Sequence, residues 1–229
     1  MSMSLVRKII AGDTCRYTRF HDEKGNFLDR DEWGQAPVAL YRCLRRKLTG
    51  RVPVEPWWTA GVIRRVSGLL TPNASVIEFG SGLSTIWLAR RCSSLLSVEH
   101  QPSWHQTVTA MIAEHGLSNV RLELRPRETY PDCRDIPDRS IDFAVIDGER
   151  RAPCLRAVWP KMKPGGWVYL DNSDKDMTAA PDGENLRSAE AFLREHCAPE
   201  DIECYTGFTI NSFNTHQGML CRVRPGSEG

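Results

Sequence analysis

The stretch Val76-Ile77-Glu78-Phe79-Gly80-Ser81-Gly82-Leu83-Ser84-Thr85 decides the fold of this 229-residue chain. Its first four residues predict a buried β-strand, and two closely spaced glycines then lead into a helix. Glycine lets the backbone approach a ligand closely, and a helix N-terminus offers free N–H groups to a polar or anionic group. The succession of strand, glycine turn and helix therefore predicts a ligand site at the end of this strand.

Short β-branched runs alternate with helical stretches from Ala74 onward, which is typical of βαβ units and a parallel sheet. The polar link 211–217 is too short for a helical crossover, so the last two strands should form an antiparallel pair at the sheet edge. The predicted strands are Ser75–Phe79, Leu95–Glu99, Val120–Leu124, Ile141–Asp147, Gly166–Asp171, Ile202–Ile210 and Gly218–Val223. The predicted helices are Pro37–Leu48, Thr59–Leu70, Leu83–Arg91, Ser103–His115, Ala152–Met162 and Gly183–His196.

We therefore predict an α/β fold, with a doubly wound, mostly parallel seven-stranded sheet of Rossmann-like type and an antiparallel edge strand. Residues 1–72 are predicted to form an N-terminal helical and irregular extension that serves as a cap or lies on the substrate side. Residues 73–229 are predicted to form the ligand-binding domain. The sequence leaves open whether the chain forms a homodimer.

Composition and charge exclude several classes of protein. With 41% apolar and 26% charged residues, the chain is neither collagen-like nor a low-complexity disordered protein. The formal charge of +1 gives no global field that attracts nucleic acid or an anionic membrane, although residues 1–70 hold 13 basic and 7 acidic side chains. No apolar run approaches the about 20 residues that span a bilayer, and Met1–Gly12 lacks the features of a signal peptide. We expect a cytoplasmic protein with no nucleic-acid or membrane partner.

A second acidic signal follows the glycine turn. Glu99 ends the next predicted strand, where a carboxylate can accept both hydroxyls of a ribose. A dinucleotide fingerprint would need a third glycine at Thr85 and has no use for a carboxylate at Glu78. Glu78 suits a ligand that carries a cationic amino-acid head beside its nucleoside, and the alternative is a strand-end carboxylate facing solvent.

Over about residues 74–224 the chain resembles the class I S-adenosylmethionine-dependent methyltransferases. The segment 78–82 matches the nucleotide-binding motif of that family, Glu99 its ribose-binding acid, and 163–166 its turn before the fifth strand. The resemblance implies S-adenosylmethionine as cofactor and methyl transfer to a small-molecule acceptor, for which we expect a hydroxyl oxygen. The implied cofactor-binding residues are Glu78, Gly80, Gly82, Ser84, Glu99 and Asp147, with Glu128 standing in for the adenine contact after the third strand.

Oxygen donors at two further strand ends suggest a metal. Asp147 ends the fourth predicted strand and Asp171-Asn172 the fifth, so these side chains open onto one crevice and suit Mg²⁺. The set resembles the metal ligands of cation-dependent O-methyltransferases of the catechol and caffeoyl type. Those proteins place a lysine three residues after the first Asp, where this chain has Arg150, a poor proton acceptor. The alternative is that these residues only cap strand ends.

Deprotonation of an acceptor hydroxyl would rely on Mg²⁺ or on a histidine. The catalytic candidates are Asp147, His100 and His105, and three tryptophans, Trp57, Trp58 and Trp104, are candidates for pocket walls. Two other functions stay open. A nicotinamide-dependent oxidoreductase would use the same sheet and Glu99, although Glu78 and Thr85 disfavour it. A non-catalytic binding module derived from a methyltransferase is the second, and the presence of the motif residues disfavours it.

Overall fold

The computed structural model describes residues 10–175 and 182–224. Its centre is a seven-stranded sheet in the order β3-β2-β1-β4-β5-β7-β6. The strands are β1 (Ser75–Phe79), β2 (Ser94–Glu99), β3 (Val120–Leu124), β4 (Ile141–Ile146), β5 (Met162–Leu170), β6 (Ile202–Phe208) and β7 (Thr215–Arg222). Strands β1 to β5 pair in parallel, whereas β7 runs antiparallel to both β5 and β6. The predicted fold class and the antiparallel pair at the sheet edge are confirmed.

Six α-helices of the described residues surround the sheet. They are α1 (Ala36–Thr49), α2 (Ala60–Leu69), α3 (Leu83–Ala89), α4 (Pro102–Glu114), α5 (Arg151–Val158) and α6 (Asp182–His196). Local chemistry fixes several of their ends. The Thr59 hydroxyl accepts a hydrogen bond from the Val62 N–H and caps α2, and α4 begins with a proline. Gly50, with φ of 68°, ends α1 in the left-handed conformation.

Both faces of the sheet are covered, as expected for parallel strands. On one face, Ile77 and Phe79 of β1 pack with apolar residues of α5 and α6. On the other face, Val76 packs with Trp58, with Val62 of α2 and with residues of α3. Successive residues of β1 thus pack into two separate cores, which explains why Val76 and Ile77 are both apolar although they point to opposite faces. Among the described helices, none is both long and apolar enough to cross a membrane.

The segment before α1 is attached to the antiparallel end of the sheet. The Asp29 N–H donates to the Thr206 carbonyl of β6, and the Asp29 carboxylate accepts the Thr206 N–H at 2.7 Å. Further along, the buried Arg16 side chain donates to the Thr215 carbonyl at the start of β7. These bonds place the N-terminal part beside the carboxyl end of β5. The division of the chain at residue 72 stays a prediction, and α2 within that part contributes to the main core.

Candidate active site

The candidate site lies where the chain changes direction across the sheet. From β1 the chain proceeds outward to β2 and β3, and then returns to β4 on the other side of β1. Ligands of open α/β sheets bind at such a switch point, outside the carboxyl ends of the strands. Phe79 is in register with Val98 of β2 and Ile146 of β4, so the residues that follow these three are neighbours at one edge. They are Gly80, Glu99 and Asp147.

A cavity of about 720 Å³ opens at this edge, a volume typical of small-molecule sites. Its lining combines the glycine turn with apolar side chains and with charged groups from three strand ends. Three carboxylates and one guanidinium contribute, so the lining carries an excess of negative charge. The lining residues are Val52, Trp57, Gly80, Ser81, Gly82, Leu83, Ser84, Glu99, His100, Gln101, Trp104, Met111, Asp147, Gly148, Glu149 and Arg151.

The two positions of the turn need glycine for different structural reasons. Gly80 has a φ of 100°, and a Cβ added there would lie 2.7 Å from the Gly148 nitrogen. Side chains are therefore excluded at Gly80 by the fold itself. At Gly82, in contrast, the nearest atom to an added Cβ is Cζ2 of Trp104, at 3.9 Å. The lack of a side chain at Gly82 thus keeps part of the cavity open, whereas at Gly80 it avoids a clash with the backbone of Gly148.

A buried chain of hydrogen bonds holds the turn in place. The Thr85 hydroxyl accepts the Gly82 N–H at 2.9 Å and donates to the Glu78 carboxylate at 2.6 Å. The Ser97 hydroxyl of β2 donates to the same Glu78 oxygen at 2.7 Å. Thr85, which stands where a dinucleotide fingerprint has its third glycine, therefore connects the turn to the strand below it.

Glu78 is fully buried and is not a lining residue of the cavity. Burial raises the pKa of its carboxyl to about 7. Its Oε2 accepts the bonds from Thr85 and Ser97, whereas its Oε1 has no hydrogen-bond partner in the described structure. An unpaired buried carboxylate oxygen fits a cationic group approaching through the turn. Direct contact of Glu78 with a cofactor stays a prediction.

Glu99 lines the cavity and also organises its rim. One carboxylate oxygen accepts the N–H groups of His100 and Gln101, each at 2.8 Å. The other accepts the hydroxyl of Ser81 at 2.9 Å and its N–H at 3.3 Å. The carboxylate is therefore held rigidly between the first and second strand ends. Its predicted bond to a ribose would use lone pairs that remain on these oxygens.

Two of the three candidate tryptophans form walls of the cavity. The Trp104 indole N–H donates to the Ser81 carbonyl at 2.8 Å, which holds the ring of this α4 residue against the glycine turn. Trp57 faces the cavity from the segment between α1 and α2. Trp58 is instead completely buried and packs against Tyr169 with ring centroids 4.7 Å apart.

Asp147 and Asp171, at the ends of β4 and β5, lie beside a positively charged side chain, that of Arg151. Arg151 Nη2 lies 3.3 Å from the Asp147 carboxylate, and the same guanidinium donates to the carbonyls of Asp147, Gly148 and Asp171. The carboxyls of Asp147 and Asp171 influence each other electrostatically. Burial, followed by the charge of Asp147, raises the pKa of Asp171 to about 7, and burial also raises that of Asp147.

These contacts do not fit a magnesium site. The two oxygens of Asp147 face Arg151 and the indole N–H of Trp58, and an oxygen of Asp171 accepts the Tyr169 hydroxyl at 2.5 Å. A divalent cation would have to displace these donors and lie beside a fixed positive charge. We therefore revise the expectation that Asp147, Asp171 and Asn172 bind Mg²⁺.

The remaining predicted residues divide into two groups. Ser84 and His100 line the cavity, and His100 Nδ1 lies 3.2 Å from the Glu99 carboxylate. His105 and Glu128 are not among the lining residues. The side chain of Glu128 is exposed in the turn after β3, where its backbone carbonyl accepts a bond from Arg150. The adenine contact predicted for Glu128 and the catalytic role predicted for His105 are not supported by these positions.

Several lining residues had no role in the sequence analysis. Gln101 lies two residues after Glu99, and Arg151 lies four residues after Asp147, so their proximity to the site could have been inferred from spacing. Met111 on α4 and Val52 before α2 carry no such signal, because only the tertiary path brings them to the cavity.

Residues 77–173 match a family model described as a methyltransferase domain. This segment runs from β1 to just beyond β5 and includes the glycine turn, Glu99 and Asp147. The predicted resemblance of the chain to class I S-adenosylmethionine-dependent methyltransferases is confirmed. No curated protein matches the sequence.

Solved structures with the same fold include proteins of different activities. The chain is 18% identical to a putative O-methyltransferase from Klebsiella pneumoniae (82% of this chain, 90% of that chain, TM-score 0.58). It is 17% identical to the O-methyltransferase TomG from Streptomyces achromogenes, solved with S-adenosylmethionine (82% and 90%, TM-score 0.54). It is 22% identical to a precorrin 8W decarboxylase from Methanobacterium thermoautotrophicum (71% and 89%, TM-score 0.55). At these identities the likeness shows the fold alone.

Proposed function

We propose that this protein transfers a methyl group from S-adenosylmethionine to a hydroxyl oxygen of a small-molecule acceptor. The observation that carries the proposal is the cavity at the β1 and β4 strand ends. Gly82, with open space beside its Cα, and the carboxylates of Glu99 and Asp147 all line this one cavity. The matching methyltransferase-domain model covers the same elements.

The charge of the cavity supports this ligand. S-adenosylmethionine carries a sulfonium and an ammonium group, and a lining with three carboxylates and one guanidinium favours cations. The helix N-terminus at Leu83 offers free N–H groups to the carboxylate of the same ligand. The apolar walls, Trp57, Trp104 and Met111, suit its flat base.

S-adenosylmethionine supplies a methyl carbon that an acceptor oxygen attacks while the bond to sulfur breaks. The protein's own contribution is to orient both groups, to exclude water and to take the hydroxyl proton. Asp147 is the first candidate for the proton acceptor, because it lines the cavity and burial raises its pKa above the ordinary value of an aspartate, which makes it a stronger base. His100 is the second, as its ring also faces the cavity.

A screen of acceptors tests the proposal. Purified protein is incubated with S-adenosylmethionine carrying a deuterated methyl group, together with panels of hydroxylated and of amino-bearing metabolites, and products are identified by mass spectrometry. We expect labelled methyl groups on oxygen. Transfer only to nitrogen would contradict the acceptor class, and formation of no methylated product with any panel would contradict methyl transfer to these acceptors.

A nicotinamide-dependent oxidoreductase is the alternative on a similar sheet. Its fingerprint packs a glycine closely against the first strand where this chain has Thr85. Here the Thr85 hydroxyl bridges the turn and Glu78. This bridge favours the methyltransferase over the oxidoreductase.

A further inference from the structure

Helix α1 has two apolar faces, and only one of them is covered. Ala39 and Cys43 are buried against Leu28, Phe208 and Phe213. On the opposite side lies a second apolar stripe of exposed residues. We call it the α1 stripe, and it consists of Pro37, Tyr41, Leu44 and Leu48.

The spacing of the α1 stripe places its members on one line along the helix. Intervals of four, three and four residues return to the same face of an α-helix. The exposed fractions are 62% for Tyr41, 50% for Leu44 and 83% for Leu48. Such protruding apolar side chains on consecutive turns are more than the single exposed hydrophobic residues that are normal on a surface.

Positive charge surrounds the α1 stripe. Between Trp33 and Val54 the chain has no acidic residue. Of the basic residues in this stretch, Arg42 pairs with Glu55, and the Arg46 guanidinium lies over the Trp57 ring. The other three form no ion pair in residues 10–175 and 182–224; Lys47 and Arg51 are exposed and Arg45 is half-buried.

We propose that α1 docks on the surface of an anionic phospholipid bilayer, with the α1 stripe in the headgroup region and its flanking cations on the lipid phosphates. An exposed apolar line flanked by lysine and arginine is the pattern of interfacial helices. Each cation near an anionic surface adds to the attraction. Tyr41 and the half-exposed Trp57 suit the interface, since such rings have an apolar body and a polar edge.

A second copy of the chain fits this surface less well. Two α1 helices facing each other would bring together the unpaired cations of both copies, which repel one another. The stripe also protrudes from a convex helix rather than lining a groove, and a fluid bilayer accommodates such side chains without a shaped partner. The expectation that the chain has no membrane partner rested on its net charge and on the lack of a spanning segment. Both are properties of the whole chain, and they do not describe the local charge and apolar surface of a single helix.

Docking through α1 would place the candidate cavity near the membrane surface. Trp57 lines the cavity and contacts Arg46 of α1, so the two surfaces are continuous. The docking proposal does not depend on the proposed methyl transfer, because it can be measured without cofactor or acceptor.

Vesicle co-sedimentation tests the proposal. The full chain is mixed with vesicles of pure phosphatidylcholine or of equal parts phosphatidylcholine and phosphatidylglycerol. We expect sedimentation with the anionic vesicles, reduced by added salt, and little with the neutral ones. Leu44→Ser with Leu48→Ser should lower partitioning at least about tenfold, because two leucines leave the interface. Arg45→Gln with Lys47→Gln should lower it about tenfold on anionic vesicles.

Leu124→Ser is the matched control, because Leu124 is 45% exposed but lies at the end of β3. It should sediment like the wild type, and circular dichroism should show that all variants are folded. Equal loss in Leu124→Ser, or absence of sedimentation with anionic vesicles, would overturn the proposal. Self-association in ultracentrifugation that the double leucine variant abolishes, without vesicle binding, would assign the stripe to a second copy instead.

Discussion

At the scale of single residues, the two glycines of the turn separate the needs of the fold from those of the ligand. Gly80 is required because its backbone is left-handed and faces Gly148 at close range. Gly82 has an extended backbone, with φ of 169°, and its missing side chain would point into the cavity. The same residue type therefore serves stability at one position and binding at the other.

This difference predicts opposite outcomes for one substitution. Gly82→Val should remain folded but lose S-adenosylhomocysteine binding, because the added methyl groups fill cavity space. Gly80→Val should lower the free energy of unfolding by at least about 1–3 kcal/mol through backbone strain, with steric overlap in addition. Chemical denaturation and calorimetry on both variants measure the two effects. Normal binding by a folded Gly82→Val would show that the ligand does not approach the turn.

Glu78 predicts a pH dependence of stability. Its pKa rises from 4.5 to about 7 on folding, so the folded state binds more protons than the unfolded state between these values. The contribution of Glu78 to stability is therefore present below pH 4.5 and is lost as pH rises to about 7, by on the order of 3 kcal/mol. Urea denaturation across this range should show a smaller decline for Glu78→Gln than for the wild type.

The decline that remains in Glu78→Gln belongs in part to Asp171, whose pKa burial raises in the same direction. Glu128→Gln is the control, since its side chain is exposed. If Glu78→Gln and Glu128→Gln decline with pH as steeply as the wild type, the assigned state of Glu78 is wrong.

At the scale of elements, the ends of β4 and β5 are joined through the first residue of α5. Arg151 bonds the carbonyls at both strand ends and neutralises Asp147. The Arg151 guanidinium thereby supplies, beside Asp147 and Asp171, the positive charge that a bound metal ion would otherwise supply. Arg151 is a positioning residue in this arrangement, because its bonds to the Asp147 carboxylate and carbonyl hold this residue at the cavity lining.

This arrangement predicts metal-independent activity. Methyl transfer should be unchanged in EDTA, whereas Asp147→Asn should reduce kcat by about 10²-fold or more, because the proton acceptor is lost. Binding of S-adenosylhomocysteine to Asp147→Asn, measured in parallel, separates catalysis from binding. Activity that disappears in EDTA and returns with Mg²⁺ would restore the metal site expected from the sequence.

At the scale of the whole molecule, local patterns predicted the sheet better than its irregular parts. Strands β1 and β3 have the predicted bounds, because short apolar runs bounded by turns define them. Strand β5 begins at Met162 rather than Gly166, since the pairing with β4 shifts register between Ile141 and Phe143, and strands with such irregularities tolerate internal proline and glycine.

The site was predictable where chemistry is confined to strand ends. Gly80, Gly82, Glu99 and Asp147 came from the positions of polar or glycine residues after apolar runs. The exposure of Glu128 and the contribution of Val52 depend on how distant segments pack, which no local pattern reports. The Asp147 and Arg151 pair was missed for a different reason, because the metal prediction considered only the oxygen donors at the strand ends and not the arginine four residues after Asp147.

Isothermal titration calorimetry with S-adenosylmethionine and with NADH is the most direct test of the proposed function. The geometry of the glycine turn, Thr85 and Glu78 predicts saturable binding of S-adenosylmethionine at one site per chain and no binding of NADH. Glu99→Ala should weaken the first interaction by about 1.5–3 kcal/mol, as a hydrogen bond to a charged group is lost. Tight binding of NADH with no binding of S-adenosylmethionine would contradict the proposed function.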